Sequence, residues 1–162
     1  MKTLLLMRHA KSDWSADYGT DHDRPLNDRG ERSARAIGEA LSADGDVPDH
    51  IISSTALRAR TTAELAADAG GWECELVLDS RLYGGGADTV LSVAASSGQG
   101  ERLMLVGHQP TWSILVSVLT GERVEVRTAT VAVIDFEVGD WSQITAGVGR
   151  VRRVYQARDY TD

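Results

Sequence analysis

The sequence predicts an α/β fold, a mostly parallel sheet covered by helices, with an antiparallel addition toward its C-terminal end. Three observations predict it. Short, almost continuous apolar runs at 3–7, 50–53 and 103–106 read as strands covered on both faces. Segments with apolar residues at helical spacing stand between these runs, as crossovers between parallel strands require. After Gly121 the period changes from helical to alternating. A chain of 162 residues reads as a single domain, 1–162. A chain of that size buries about 70% of its unfolded surface.

The elements follow in chain order. Thr3 to Met7 is the first strand, and residues 12–27, polar, Asp-rich and containing Pro25, form a long loop. Asp28-Arg29-Gly30 leads into a helix over 31–42, where Ala34, Ile37, Ala40 and Leu41 recur on one face. Pro48 and Asp49 punctuate before a second strand, His50 to Ser53. The Ala-rich stretch 55–69 is a helix stopped by Gly70-Gly71. Residues 73–78 alternate as a third strand, Gly84-Gly85-Gly86 is a loop, and 87–95 is a helix. Leu103 to Val106 is the fourth strand, Gly107-His108-Gln109-Pro110 interrupts it, and 111–119 is helical up to Gly121. Residues 130–137 and 141–146 read as two strands joined by a hairpin turn at Gly139-Asp140. The charged tail from Val151 carries no assignable element. There is no internal repeat, low-complexity tract or linker.

Composition excludes several function classes. A net charge of −7 argues against nucleic acid as the main partner, because phosphate backbones select basic faces. Cys74 is the only cysteine, so there is neither a disulfide framework nor a thiolate metal cluster; it reads as a small, half-buried apolar residue at a strand. The apolar run after Met1-Lys2-Thr3 is too short for a signal-peptide core and no stretch approaches a membrane span. The expectation is a cytoplasmic protein with no membrane partner.

Three strand ends carry polar groups at once. Arg8-His9 follows the first strand, Ser53-Ser54 follows the second and leads to Arg58 one turn into the next helix, and Gly107-His108 follows the fourth. In a parallel sheet these ends lie along one edge, where open α/β sheets bind ligands. Arg offers a fork of donors matched to phosphate oxygens, and His a nitrogen nucleophile usable near neutral pH. Two Arg and two His converging there suit a tetrahedral oxyanion such as a phosphoryl group. Each has a bland alternative. Arg58 is either a surface cation or an anion holder, being unfavourable to the helix dipole unless an anion is near. His108 is either a structural histidine or a site residue, with the small Gly107 letting a ligand approach the backbone. Arg60 pairs with Glu64 as an exposed i, i+4 bridge. His22 and His50 read as surface loop residues, and Asp13, Asp17, Asp21 and Asp23 as a solvated acidic loop, since calcium-loop offsets are not met. Metal-protease, Walker and nucleophile-elbow motifs are absent from the sequence.

Residues 5–12 (Leu-Leu-Met-Arg-His-Ala-Lys-Ser), 23–30 (Asp-Arg-Pro-Leu-Asn-Asp-Arg-Gly), Ser53-Ser54 through Arg58-Ala59 and Thr61-Thr62-Ala63-Glu64, and 106–110 (Val-Gly-His-Gln-Pro) resemble the histidine phosphatase superfamily. Within it they most resemble the small SixA-type phosphohistidine phosphatases, from the N-terminus to about Gly121. The resemblance implies a phosphoglycerate mutase-like, three-layer αβα sandwich whose mostly parallel central sheet includes an antiparallel strand. It implies a metal-independent phosphatase without cofactor, in which His9 forms a covalent phosphohistidine that water hydrolyses. Arg8 and Arg58 would hold equatorial oxygens, and His108 would donate where charge builds. A backbone acceptor would set the His9 tautomer. Arg24 would rim the phosphate pocket, with Ser12 and Lys11 as further candidates.

One departure bears on the substrate. In the larger relatives a Glu after the third strand protonates the leaving oxygen, whereas the matching segment here is Arg81-Leu82-Tyr83-Gly84. A site without that acid suits phosphohistidine, whose imidazole can be protonated before it leaves. The implied partner is a phosphorylated protein bearing phosphohistidine. The alternatives are a small-molecule phosphomonoesterase with Asp88 or Asp13 as acid, and a phosphate-binding module without turnover.

Overall fold

The computed structural model describes residues 1–161. Its six-stranded sheet runs β3-β2-β4-β1-β5-β6, with β1 Lys2–Arg8, β2 His50–Ser53, β3 Glu75–Leu78, β4 Arg102–Gly107, β5 Val131–Phe136 and β6 Arg150–Tyr155. The first four strands are mutually parallel, β5 is antiparallel to β1, and β6 is antiparallel to β5. Only β5 therefore runs against the rest. The helices are α1 Asp28–Ala43, α2 Leu57–Gly70, α3 Ala87–Ser97 and α4 Thr111–Thr120.

Alternate residues of the central strands go to opposite faces, and each face has its own core. Leu5 and Met7 of β1 pack with Met104 and Val106 of β4 beneath α1 and α2, against Ile37, Leu41, Ala63 and Ala66. Leu4 and Leu6 pack with Leu103 and Leu105 beneath α3 and α4, against Val90, Val93, Leu115 and Val116. Burial on both faces explains the unbroken apolar runs, each fully buried Leu contributing roughly 1.5–3 kcal/mol. This is the expected three-layer αβα arrangement.

Register places the functional edge. Arg8 is opposite Gly107 in the β1–β4 pair, and Ser53 is opposite Val106 in the β2–β4 pair. The three strand ends therefore stand side by side. α1 begins three residues earlier than periodicity indicates, because the Asn27 side chain accepts from the Gly30 N–H at 2.7 Å and caps it.

The C-terminal third departs from expectation. Residues 141–146 are not a strand: Asp140 caps a 3-10 turn at Trp141–Gln143, its carboxylate accepting from Ser142 N–H at 2.8 Å. Trp141 and Ile144 are buried in the core beside α3 and α4, which outweighs their β propensity. The partner of β5 is instead β6, in the tail that carried no assignment. A register shift between Val133 and Ile134 interrupts its alternation, and its arginines are countered from the side. Arg152 meets Asp135 at 2.8 Å and Asp46 at 3.0 Å, and Arg153 meets Asp44 at 2.6 Å. His50 is likewise a correction: it lies buried within β2 rather than in a surface loop. Cys74 is half-buried just before β3, as expected. Among the described residues no helix is long and apolar enough to cross a membrane.

Candidate active site

His9 follows β1 directly. Its backbone N–H donates to the Gly107 carbonyl at 3.0 Å, so β4 holds the nucleophile candidate at the sheet edge. Only 7% of the residue is exposed. Nδ1 lies 2.7 Å from the Ala10 carbonyl oxygen, which can only accept, so Nδ1 carries the proton and Nε2 keeps its lone pair. Ala10 is itself fixed: its N–H donates to Thr62 Oγ1 at 2.9 Å, and that hydroxyl donates to the Arg58 carbonyl at 2.6 Å. Burial above all, with neighbouring His108 and then the charges of Arg58 and Arg8 adding, pushes His9 down to about 3 against the opposing Ala10 bond. His9 is neutral at pH 7.

Arg8, His9, Ser12, Arg24, Arg58 and His108 all line one cavity of about 360 Å³, together with Lys11, Trp14, Gln109 and Thr128. The residues expected to act on or hold the phosphoryl group are therefore brought together, the two candidate acids apart. The His9 and His108 rings lie 5.2 Å apart. His108 Nε2 is 2.8 Å from Ser54 Oγ, and burial followed by the Arg58 charge lowers its pKa to about 4. Arg8 Nη1 donates to the Val126 carbonyl at 3.2 Å. Arg24 is gripped by Ser12 Oγ and stacks its guanidinium 3.5 Å from the Trp14 ring centre. Arg8 Nε, Arg24 Nε, Arg58 Nε and His108 Nδ1 are buried with no partner in the protein. Buried donors are seldom left unpaired. The three guanidiniums of Arg8, Arg24 and Arg58 and the His108 imidazole, gathered on one cavity, make a cradle for an oxyanion.

The 3-10 turn Asp21–Asp23 supplies what the sequence did not disclose. Asp21 is half exposed, as a loop acid would be, but it is not merely solvated. Its carboxylate accepts from Arg58 Nη2 at 3.0 Å, Arg24 Nη2 at 3.1 Å and Tyr83 Oη at 2.9 Å. Partial burial opposes ionisation, but these donors outweigh it and bring Asp21 down to about 2. His22 of the same turn lies 2.8 Å from Thr55 Oγ1 and edge-on to Tyr83, near the site rather than out in a loop. Gly107 is small for another reason than ligand approach: a Cβ there would strike the Trp112 ring. The two candidate acids do not line the cavity. Asp88 is exposed in the first turn of α3. Asp13 accepts from the Ser15 hydroxyl and N–H, which holds its pKa below the usual range. The Arg60–Glu64 bridge forms as expected, at 3.7 Å.

The family model of the histidine phosphatase superfamily (branch 1) matches residues 4–83. The uncharacterized protein Rv1276c of Mycobacterium tuberculosis is 37% identical over 153 residues, spanning 87% of this chain and 93% of the relative. The chain belongs to the histidine phosphatase superfamily. Among solved structures, the protein described as phosphohistidine phosphatase SixA of Agrobacterium tumefaciens is 28% identical, with a TM-score of 0.82 over 96% of this chain and 97% of that one. A protein histidine phosphatase SixA complexed with tungstate shares the fold at 21% identity, with a TM-score of 0.82 over 98% of this chain and 99% of that one. The superfamily match stops at Tyr83, so it takes in Arg8, His9, Arg24 and Arg58, while His108 enters the same cavity from β4.

Proposed function

We propose that this superfamily member is a phosphatase that removes the phosphoryl group from protein phosphohistidine through a covalent intermediate on His9. The observation that carries the reading is the His9 tautomer, Nδ1–H bound to the Ala10 carbonyl and Nε2 left with its lone pair, in a cavity lined by Arg8, Arg24, Arg58 and His108. Nε2 attacks phosphorus in line, and the bond from phosphorus to the leaving nitrogen breaks. Arg8 and Arg58 take the equatorial oxygens and His108 donates where negative charge grows. Water then attacks the phosphohistidine on His9, releasing inorganic phosphate and restoring the neutral imidazole.

The surroundings of the site support a nitrogen leaving group. Asp21, the carboxylate bound to the site's arginines, is held near 2 and is ionised at neutral pH, so it has no proton to give. An alkoxide needs that proton, whereas an imidazole can leave already protonated. The reading is tested by incubating the protein with a phosphohistidine-labelled protein and trapping the intermediate under alkaline quench. Label is expected on His9 in the wild type and nowhere in His9→Ala. Turnover of an alkyl phosphate as fast as phosphohistidine would overturn the preference for the nitrogen–phosphorus bond, and release of phosphate without any labelled His9 would overturn the mechanism.

A further inference from the structure

Lys11 and Thr128 line the His9 cavity and also line a neighbouring cavity of about 190 Å³. The charged side chains around this second cavity are all cations: Lys11, Arg29, Arg127 and Arg158, with Ser33 and Thr128 adding hydroxyls. No carboxylate lines it among the described residues. The chain as a whole carries −7, so the cations are gathered here against the general balance. Gathering them costs repulsion, and Arg29 in the first turn of α1 also opposes the helix dipole. Glu125 counters Arg127 at 3.1 Å, but both side chains are at least half exposed and such a pair offsets little.

The arrangement is held in place. The Lys11 carbonyl accepts from Asn27 N–H at 3.0 Å, and Gly30 packs so close to it that a Cβ would collide with that oxygen. The start of α1, which carries Arg29, is thus fixed against the loop two residues beyond His9. Past Arg29 and Ser33 the concavity continues into a third, lined also by Arg32 and Arg35, with Glu39 the one acid lining it among the described residues and Arg35 countered by Asp68 at 3.0 Å. A long cationic run leading away from a phosphoryl site matches an extended acidic segment better than a compact phosphoester.

We propose that this groove binds acidic side chains flanking the phosphohistidine of a protein substrate, so that the substrate chain runs from His9 past Lys11 to Arg29, Arg127 and Arg158. The proposal rests on the phosphohistidine reading above. It selects among phosphoproteins by charge, and the selection is screened by salt, since the Debye length falls below about 10 Å above 0.1 M.

Two phosphohistidine peptides test it, one flanked by four glutamates and one by four glutamines, each turned over by the wild type and by Arg29→Glu/Arg158→Glu. The wild type should show a KM for the glutamate peptide on the order of tenfold lower, the gap closing as salt is raised. The double variant should lose the preference while turning over free phosphohistidine as the wild type does, which also shows that it folds. Equal KM values for both peptides in the wild type, or a preference that survives charge reversal, would overturn the groove. Fluorescence anisotropy with the unphosphorylated peptides separates the two claims. Reversal-sensitive binding of the glutamate peptide without any phosphate release would remove the catalytic reading and keep the groove. Phosphate release without reversal-sensitive preference would do the opposite.

Discussion

Arg58 is bound twice to Asp21: Nη1 donates to its carbonyl oxygen at 2.7 Å and Nη2 to its carboxylate at 3.0 Å. A cation at the second position of α2, 37 residues away in sequence, is thereby met by an anion of the chain itself. That anion shares the guanidinium with any oxyanion entering the cavity.

Replacing Asp21 by Asn should therefore tighten inhibition by vanadate, by roughly threefold to tenfold, because a full negative charge beside the phosphate position is removed. Stability should fall by about 1–2 kcal/mol: Asp21 is half exposed, but the Arg24 and Arg58 side chains that it pairs are buried. Inhibition constants measured for both proteins decide it: a weaker hold on vanadate in Asp21→Asn would mean that Asp21 mainly positions the arginines.

Arg58→Lys should lower kcat by about 10²–10³ despite keeping the charge. An ammonium cannot hold two equatorial oxygens or Asp21 in the same bidentate way. Steady-state kinetics on phosphohistidine check this, and a loss smaller than tenfold would show that charge alone suffices.

Thr62→Val should cost about 1–3 kcal/mol, since it strands the buried Ala10 N–H. It should also reduce kcat, because Ala10 carries the carbonyl that sets the His9 tautomer. Thermal melts and kcat are read together; rescue of both by Thr62→Ser would place the effect in the hydroxyl rather than in packing.

The pH dependence has a definite sign. His9 and His108 are lowered to about 3 and about 4, so the folded state binds fewer protons than the unfolded chain between those values and about 6.5. Their contribution to stability is complete above 6.5 and is lost as pH falls from 6.5 toward 4 and then 3. Asp21, lowered to about 2, adds a further loss below its ordinary value. Denaturation midpoints should fall with pH across this window, less steeply in His9→Gln. Catalysis should keep its nucleophile down to about pH 5, so an acid limb in kcat centred near 6.5 would contradict the placement of His9.

Much of this was legible in the chain. β2 spans His50–Ser53 as read, and Arg8, His9, Arg58 and His108 line a single cavity because strands buried on both faces have a recognisable pattern and end together. The misreadings have a common origin. Trp141–Ala146 has strand composition, but its Trp141 and Ile144 are drawn into the core beside α3 and α4. Arg150–Tyr155 looks like a solvated tail, yet Asp44, Asp46 and Asp135 neutralise its charges from the side. Asp21 looked like one of several loop acids until folding laid it on Arg24, Arg58 and Tyr83.

Local chemistry decides what can be read from order alone. Apolar runs and helical spacing specify the α/β architecture, and four short motifs around Arg8-His9, Arg24, Arg58 and His108 the superfamily and the core of the site, since each signal is carried by neighbouring residues. Which acid faces the arginines, which carbonyl orients His9 and which cations gather beside Lys11 are settled only by the tertiary structure. Asp21 meets Arg58 from 37 residues away, and Ala10, though next to His9, is held in place by Thr62, 52 residues on; burial of the arginines and of His9 strengthens these contacts by removing the water that would otherwise screen them.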